Sequence, residues 1–425
     1  MTAVDLAVVG AGAAGLAAAC RAYELGLSCY LLEAKPRIGG RTHTDTDTFG
    51  VPWDRGAHWL HSADINPLTR IAEELGHSYL AQPRPFDGKF HLGGGWGTRA
   101  DWCAYRSDFE SAYERAHEAG ADGRDISVLD VMEKSSRWAR MVHHIFTAIS
   151  GVPPAEISTG DLAAYRDSGA NWPLVRGYGA LVEARYAGLP VELSTPVSTI
   201  DTSGAYILIG TPRGTVRARS LIVTVSTNVL ASGAIRFKPE LPLRLHNALR
   251  HVPTGHANKV AFHFRRDISG LPETSYVNFM DERDPSRPAC SFQVNPFGSN
   301  LAIAYLGGEL AEDLDRAGEA EMISFARAAL CDIFGADIFK ELSGVSATRW
   351  TSDPHTLGAY SCALPGQAHE RAVLAEPVSE RFFLAGEAVS SDWYSTVQGA
   401  HVTGIKAAEA AAAYLDRAIA AVRPR

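Results

Sequence analysis

Glycines at positions 10, 12 and 15 are followed by an acid, Glu33, and then by the run Gly39-Gly40-Arg41. These types at this spacing suit a phosphate-bearing dinucleotide. Gly10 lets the chain reverse, Gly12 lets the backbone approach a pyrophosphate, and Gly15 lets a helix pack closely on a strand. Ala13 and Ala14 fall in the first turn of that helix, where unpaired N–H groups and the positive dipole end attract phosphate. Glu33, with Ala34 after it, is placed to accept hydrogen bonds from a ribose diol. The second glycine pair brings backbone close to a ligand again, with Arg41 as a cation beside it. The competing readings are a ligand-free glycine turn and a solvated surface arginine.

Other reactive types are scattered later. His58 and His61 have helical i, i+3 spacing, but no third ligand accompanies them, so a metal site is not expected. Lys259 opens a strand whose neighbours Val260 and Phe262 can be buried on the opposite parity. Tyr360, Trp350 and Trp393 could face a ligand or fill a core. Glu387 follows Gly386 at the end of a short apolar run.

These residues need a framework. The apolar segment Val4 to Val9, the alanine-rich stretch after Gly12 and the strand ending Leu31-Leu32-Glu33 read as strand, helix, strand. Asn66-Pro67 should start a helix with Leu68, Ile71, Ala72 and Leu75 on one face. Residues 81–100 read as loop or small hairpin. Residues 106–119 and 127–149 read as helices, the second opened by Ser127 with Asp130 in a capping arrangement. Strands are expected at 191–193 and 197–200, fully apolar ones at 206–209 and 221–225, and an alternating antiparallel set at 259–264, 275–280, 289–294 and 302–306. A helix at 318–334, strands at 346–350 and 381–385 and a closing helix at 399–418 complete the chain. The nucleotide-binding pattern is therefore split: residues 1–75, 170–252 and 346–425 form one domain, and 76–169 with 253–345 form the second.

Composition bounds the rest. The chain has 425 residues, 46% of them hydrophobic, and a net charge of −8, which argues against nucleic acid as a partner. The six cysteines form no C-x-x-C pair and read as reduced residues of a cytoplasmic protein. Asp5 sits where a signal peptide would be basic, so the first apolar stretch reads as a core strand. No run approaches the ~18 apolar residues of a membrane span.

From end to end the chain resembles the flavin amine oxidase family, which includes monoamine oxidases, polyamine oxidases and lysine-specific histone demethylases. The matching stretches are Gly10 to Gly15 with Glu33, Gly39-Gly-Arg41, Gly56-Ala57-His58-Trp59-Leu-His61, Leu221 to Leu230, Asn258-Lys259-Val260, Phe382 to Glu387, and Thr396-Val397-Gln-Gly-Ala400. Gly56 to Leu75 and Trp393 to Ala400 look most like the animal-type polyamine and spermine oxidases. The resemblance implies an α/β fold: a glutathione-reductase-type FAD-binding Rossmann domain plus an α+β substrate-binding domain with a mixed or antiparallel sheet. It implies oxidation of an amine by hydride transfer to the flavin, imine hydrolysis and reoxidation by molecular oxygen, with a polyamine-type substrate expected. An arylalkylamine or alkaloid-type amine is the first rival, and a flavin desaturase or protoporphyrinogen-type oxidase the second. An α-amino acid substrate is disfavoured because no carboxylate-clamping arginine stands out.

The same resemblance implies roles. Lys259 matches the lysine that holds a water near the flavin N5, His61 the substrate-contacting histidine, and Tyr360 one aromatic wall beside the amine. The second wall of monoamine oxidases falls on Thr396, which is not aromatic; Trp393 is a nearby substitute or a core residue. Ala359 stands where monoamine oxidases carry the flavin-bonding cysteine, so FAD should be noncovalent. Glu387 matches an acid at the ribityl–phosphate region and Val197 the residue whose backbone reads the adenine. Trp350, Gly56, Ala57, His58, Trp59, Gly386, Thr396 and Val397 would complete the cofactor site. The protein would act as a monomer or homodimer.

Overall fold

The computed structural model describes residues 3–81 and 89–422. Two sheets carry the site. The first has seven strands. Val4–Val9 lies between Cys29–Leu32 and the long strand Gly214–Val223, parallel to both. Leu221 to Val223 also pair in parallel with Phe382–Leu384. The early part of the long strand turns back antiparallel onto Ile207–Thr211, and Thr199–Asp201 and Arg236–Lys238 finish that edge. The N-terminal strand is thus completed by residues from far along the chain.

The helix Ala13–Glu24 covers one face of this sheet and packs on the closing helix Val397–Val422. Its run of alanines is almost wholly buried, so the small side chains serve close approach. The strands predicted at 206–209 and 221–225 differ from each other. Leu221, Ile222 and Val223 are fully buried, but Tyr206 and Leu208 are 38% and 39% exposed while Ile207 and Ile209 are buried, so this hairpin strand is covered on one face only. Residues 191–193 make no regular strand. Glu192 forms one parallel bridge with Leu32, enough to hold the backbone after Glu33.

The second sheet runs, by position, 342–347, 257–264, 301–307, 290–294, 275–279 and 89–91. Its pairs are antiparallel except the last, where Lys89–His91 joins Ser275–Phe279 in parallel. Val260, Phe262 and Phe264 point to the helix Glu319–Phe334 and form a core with Met322, Ala326 and Leu330. The alternate residues, Lys259 and Ala261, therefore face the other side. That side meets the loop after the first parallel strands: Trp53 packs on Ala261, Leu301 and Ile303.

The helical insert is longer and more broken than its periodicity suggests. Arg99–Ala121 begins at a capping box of Thr98 and Asp101, ahead of the expected start. The 127–149 stretch divides into Val128–Val131, capped by Ser127, and Ala139–Ser150. Of the loop expected at 81–100, residues 82–88 lie outside the described residues; Lys89–His91 is instead an edge strand, a tight turn closes between His91 and Trp96, and the helix has begun by Arg99. A helix at Gly308–Ala317 was not legible from the sequence because it follows directly on a strand.

Candidate active site

One large cavity, of about 560 Å³, opens where the parallel strands of the first sheet end and extends to the inner face of the second. Ligands of open α/β sheets bind at those carboxyl ends. Val9, Gly10, Leu32, Glu33 and Thr224, all at or just past strand ends, line one part of it.

The glycine turn there is shaped as its spacing predicts. Gly10 has φ +100°, which a side chain would resist. A Cβ on Gly15 would stand 1.8 Å from the Gly10 carbonyl oxygen, so only glycine lets helix and turn meet. A Cβ on Gly12 would meet nothing nearer than the Gly39 oxygen at 4.0 Å, in space that belongs to the cavity. No side chain caps the helix at Gly12, so its first amides and dipole are left for an anion. Glu33 is buried. Its carboxylate accepts from the Ala11 amide (2.7 Å) and the Lys35 amide (2.8 Å), which fixes it against the turn.

Gly10, Gly12, Ala13, Ala14, Glu33, Ala34, Gly39, Gly40, Arg41, Gly56, Ala57, His58, Trp59, Val197, Trp350, Gly386, Glu387, Thr396 and Val397 all line the cavity. Gly15 does not line it: its missing side chain serves the close packing of helix on turn. Trp393 is also off the cavity wall. Its indole N–H donates to the Arg166 carbonyl (3.2 Å), and the Arg166 guanidinium lies on its ring, so it clamps a loop. Thr396 lines the cavity, but its hydroxyl donates to the Trp393 carbonyl (2.6 Å) and accepts from the Gly399 amide (3.1 Å), capping the closing helix.

At the other end stand Lys259, His61 and Tyr360. The Lys259 ammonium donates to the carbonyls of Asp54 (2.8 Å) and Gly56 (2.6 Å) and lies 5.1 Å from the Tyr305 ring centre. Burial pushes its pKa down to about 8, with Asp54 opposing the shift. It is no surface lysine. Next to it, Asn258 accepts from the Trp350 amide (2.9 Å) and donates to buried Asp315 (3.0 Å), and the Trp350 indole donates to the Arg55 carbonyl (3.0 Å). His61 approaches Asn171 through Nδ1. The Tyr360 hydroxyl donates to the Ala148 carbonyl, and burial holds its pKa well above the usual phenol value.

Several residues of this end escaped the sequence reading. Tyr305 lines the cavity directly across from Lys259 in the strand register and stacks on Trp59, ring centres 5.5 Å apart. Nothing local signals it; only the register does. Asp54 pairs with His58 (2.8 Å), whose Nε2 meets Gln293 (3.1 Å), and Gln293 bonds both Tyr276 and Tyr305. The Asp54–His58 spacing was a legible hint. Among the described residues no group of His, Cys, Asp and Glu could hold a metal, and no cysteine lines the cavity.

A dinucleotide with a flavin fits these walls: a phosphate cradle and a ribose acid at one end, a lysine among aromatics at the other. Comparison with known proteins agrees. Residues 8–75 match the NAD(P)-binding Rossmann-like domain, and residues 103–412 match the flavin containing amine oxidoreductase model. The chain is 28% identical to polyamine oxidase 4 of Oryza sativa subsp. japonica, over 95% of this chain and 87% of that protein. It is equally similar, at 28%, to a probable polyamine oxidase 4 of Arabidopsis thaliana over 96% and 87%. It is 26% identical to lysine-specific histone demethylase 2 of Homo sapiens, over 96% of this chain but 53% of that protein. With the match spanning most of its length and the cavity shaped for FAD, this chain belongs to the flavin containing amine oxidoreductase family.

Proposed function

We propose that the protein oxidises the carbon–nitrogen bond of a small amine, using noncovalent FAD and molecular oxygen. When bound, FAD supplies the acceptor for a hydride from the carbon beside nitrogen and returns the electrons to oxygen as hydrogen peroxide, the imine being hydrolysed by water. The carrying observation is Lys259, a buried cation 5.1 Å from the Tyr305 ring centre in a cavity that Trp59 and Trp350 also line. A second ammonium beside it would be disfavoured. A bound amine is thereby biased to the neutral form that can give up hydride. The one Lys259 N–H left over from the Asp54 and Gly56 carbonyls can hold a water. Tyr360 and the Trp59–Tyr305 pair supply flat apolar walls for the carbon chain.

A polyamine substrate is supported by the names of the plant relatives. Glu156, Glu309 and Glu312 also support it. They gather beside the end of the helix Ala139–Ser150, and burial and mutual repulsion raise the Glu156 pKa. Ile149 in that helix is 44% exposed and lines the cavity, so the acids stand near the same helix end as one cavity wall. A specific observation favours an arylalkylamine instead. Among the described lining residues the only carboxylates are Glu33 and Glu387, both engaged elsewhere, while the amine end is aromatic. Anaerobic mixing of the yellow protein with spermine, spermidine, acetylated polyamines, tyramine and tryptamine decides. The amine that bleaches the flavin fastest names the class, and no bleaching by any amine would end the amine oxidase reading.

A further inference from the structure

Behind the cavity wall lies an ion pair that the reaction does not use. Arg371, in the helix Glu370–Ala375, and Asp161, in Thr159–Ala164 of the helical insert, are each 2% exposed. They meet at two points, Nε to Oδ1 and Nη2 to Oδ2, the latter at 2.8 Å. Neither lines the cavity. Yet Arg371 Nη1 donates to the Ser361 hydroxyl (2.8 Å), which must then direct its own hydrogen to Glu387 Oε2 (2.7 Å). Glu387 accepts there also from the Ser395 amide (3.0 Å), and its other oxygen takes Arg41 Nη1 at 2.9 Å. The Arg371 guanidinium lies 4.0 Å from the Tyr394 ring centre, and the Tyr394 hydroxyl donates to the Asp161 carbonyl (3.1 Å).

We infer that Asp161 and Arg371 are positioning residues for the cofactor: through Ser361 they hold Glu387 as an oriented carboxylate at the FAD site. The geometry explains why a buried pair, costly to desolvate and replaceable by apolar groups in principle, sits here. It ties three cavity segments, Tyr360-Ser361, Gly386-Glu387 and Ser395-Thr396, to one fixed point. The charged and titratable groups around Glu387 are Arg41 and Arg371, with Asp161 and Tyr394 beyond the guanidinium. Burial would raise the Glu387 pKa, but Arg41, Ser361 and Arg371 outweigh it and hold the group below the usual carboxylate range. Loss of Arg371 removes one of the groups that oppose burial and frees the Ser361 hydroxyl from its fixed direction, so Glu387 should take a proton at higher pH than in the wild type.

The inference rests on Glu387 facing the cofactor, and it is independent of which amine is oxidised. The test is retention of FAD and its visible absorption band as pH falls from 7 to 4. Because Arg371→Met alone strands Asp161 and can fail to fold, the deciding protein is Arg371→Met/Asp161→Leu, which removes both charges. The expected result is release of FAD at a pH about one unit or more above wild type. Adding Glu387→Gln to the double variant should abolish that shift. A folded double variant with the wild-type release profile would overturn the positioning role. Glu387→Gln alone leaving FAD affinity untouched would instead overturn the reading of Glu387.

Discussion

Lys259 is unusual because its two nearest partners are carbonyl oxygens, not carboxylates. Dipoles orient the ammonium without neutralising it, so its charge remains available to the cavity. Lys259→Met keeps similar length and should retain FAD, while oxidative turnover falls by about 100-fold, the scale of a lost positioned proton or water partner. Unchanged turnover and unchanged reoxidation by oxygen in stopped flow would remove Lys259 from the chemistry. The same residue makes a stability prediction with a definite sign. Its folded pKa is about 8, against an ordinary value of 10.5. Between these the unfolded chain binds more protons than the folded one, so stability rises with pH in that window. Below pH 8 the penalty for enclosing the ammonium is fully present. Wild type should therefore gain melting temperature relative to Lys259→Met between pH 8 and 10. A constant gap between the two would contradict the enclosure.

The strand–turn–helix element at the N-terminus divides its work between two glycines, and the division can be measured. Gly15→Ala drives a methyl into the Gly10 carbonyl at 1.8 Å, so helix and turn must part. The expected cost is a few kcal/mol, comparable to overpacking a core, with a lower melting temperature even without FAD. Gly12→Ala places its methyl in open cavity space. It should leave the melting temperature of the FAD-free protein within about 2 °C of wild type, since it meets nothing in the fold. It should nevertheless weaken FAD by tenfold or more. Equal loss of stability in both variants would show that the turn is not divided in this way. This element was legible because each of its requirements is local, as are the cap at Asn66, the strand pattern around Lys259 and the acid after the short strand Phe382–Leu384. Tyr305 and the Asp161–Arg371 pair were not. Tyr305 depends on the register between two strands, and the pair depends on docking the insert against a helix more than two hundred positions away. Trp393 shows the converse: matching a motif by position does not say which side of the wall a side chain takes.

At the scale of the molecule, the cavity has no single owner. The glycine turn, Glu33 and Glu387 come from the first sheet and its flanks, whereas Lys259 and Tyr305 come from the second. The two are stitched beside the site: Lys259 donates to Asp54 and Gly56, and Arg55 donates to the Ser346 hydroxyl (3.0 Å) and the Ala347 carbonyl (2.7 Å). A ligand that spans the cavity should therefore stabilise both parts, not only the one that carries its phosphates. At a hundredfold excess over its Kd, FAD adds about 2.7 kcal/mol to the folded state. If that gain is shared, amide hydrogen exchange in the strand Ala257–Phe264 should slow on FAD binding as much as exchange in the helix Ala13–Glu24. The comparison is meaningful because the two elements are in different sheets or on different faces, and only the strand lacks contact with the phosphate cradle. Protection confined to the helix would mean that the dinucleotide site is complete without the second sheet. Protection of both would mean that the cofactor closes the joint in which the amine must be oriented, and that binding FAD and forming the substrate end are one event.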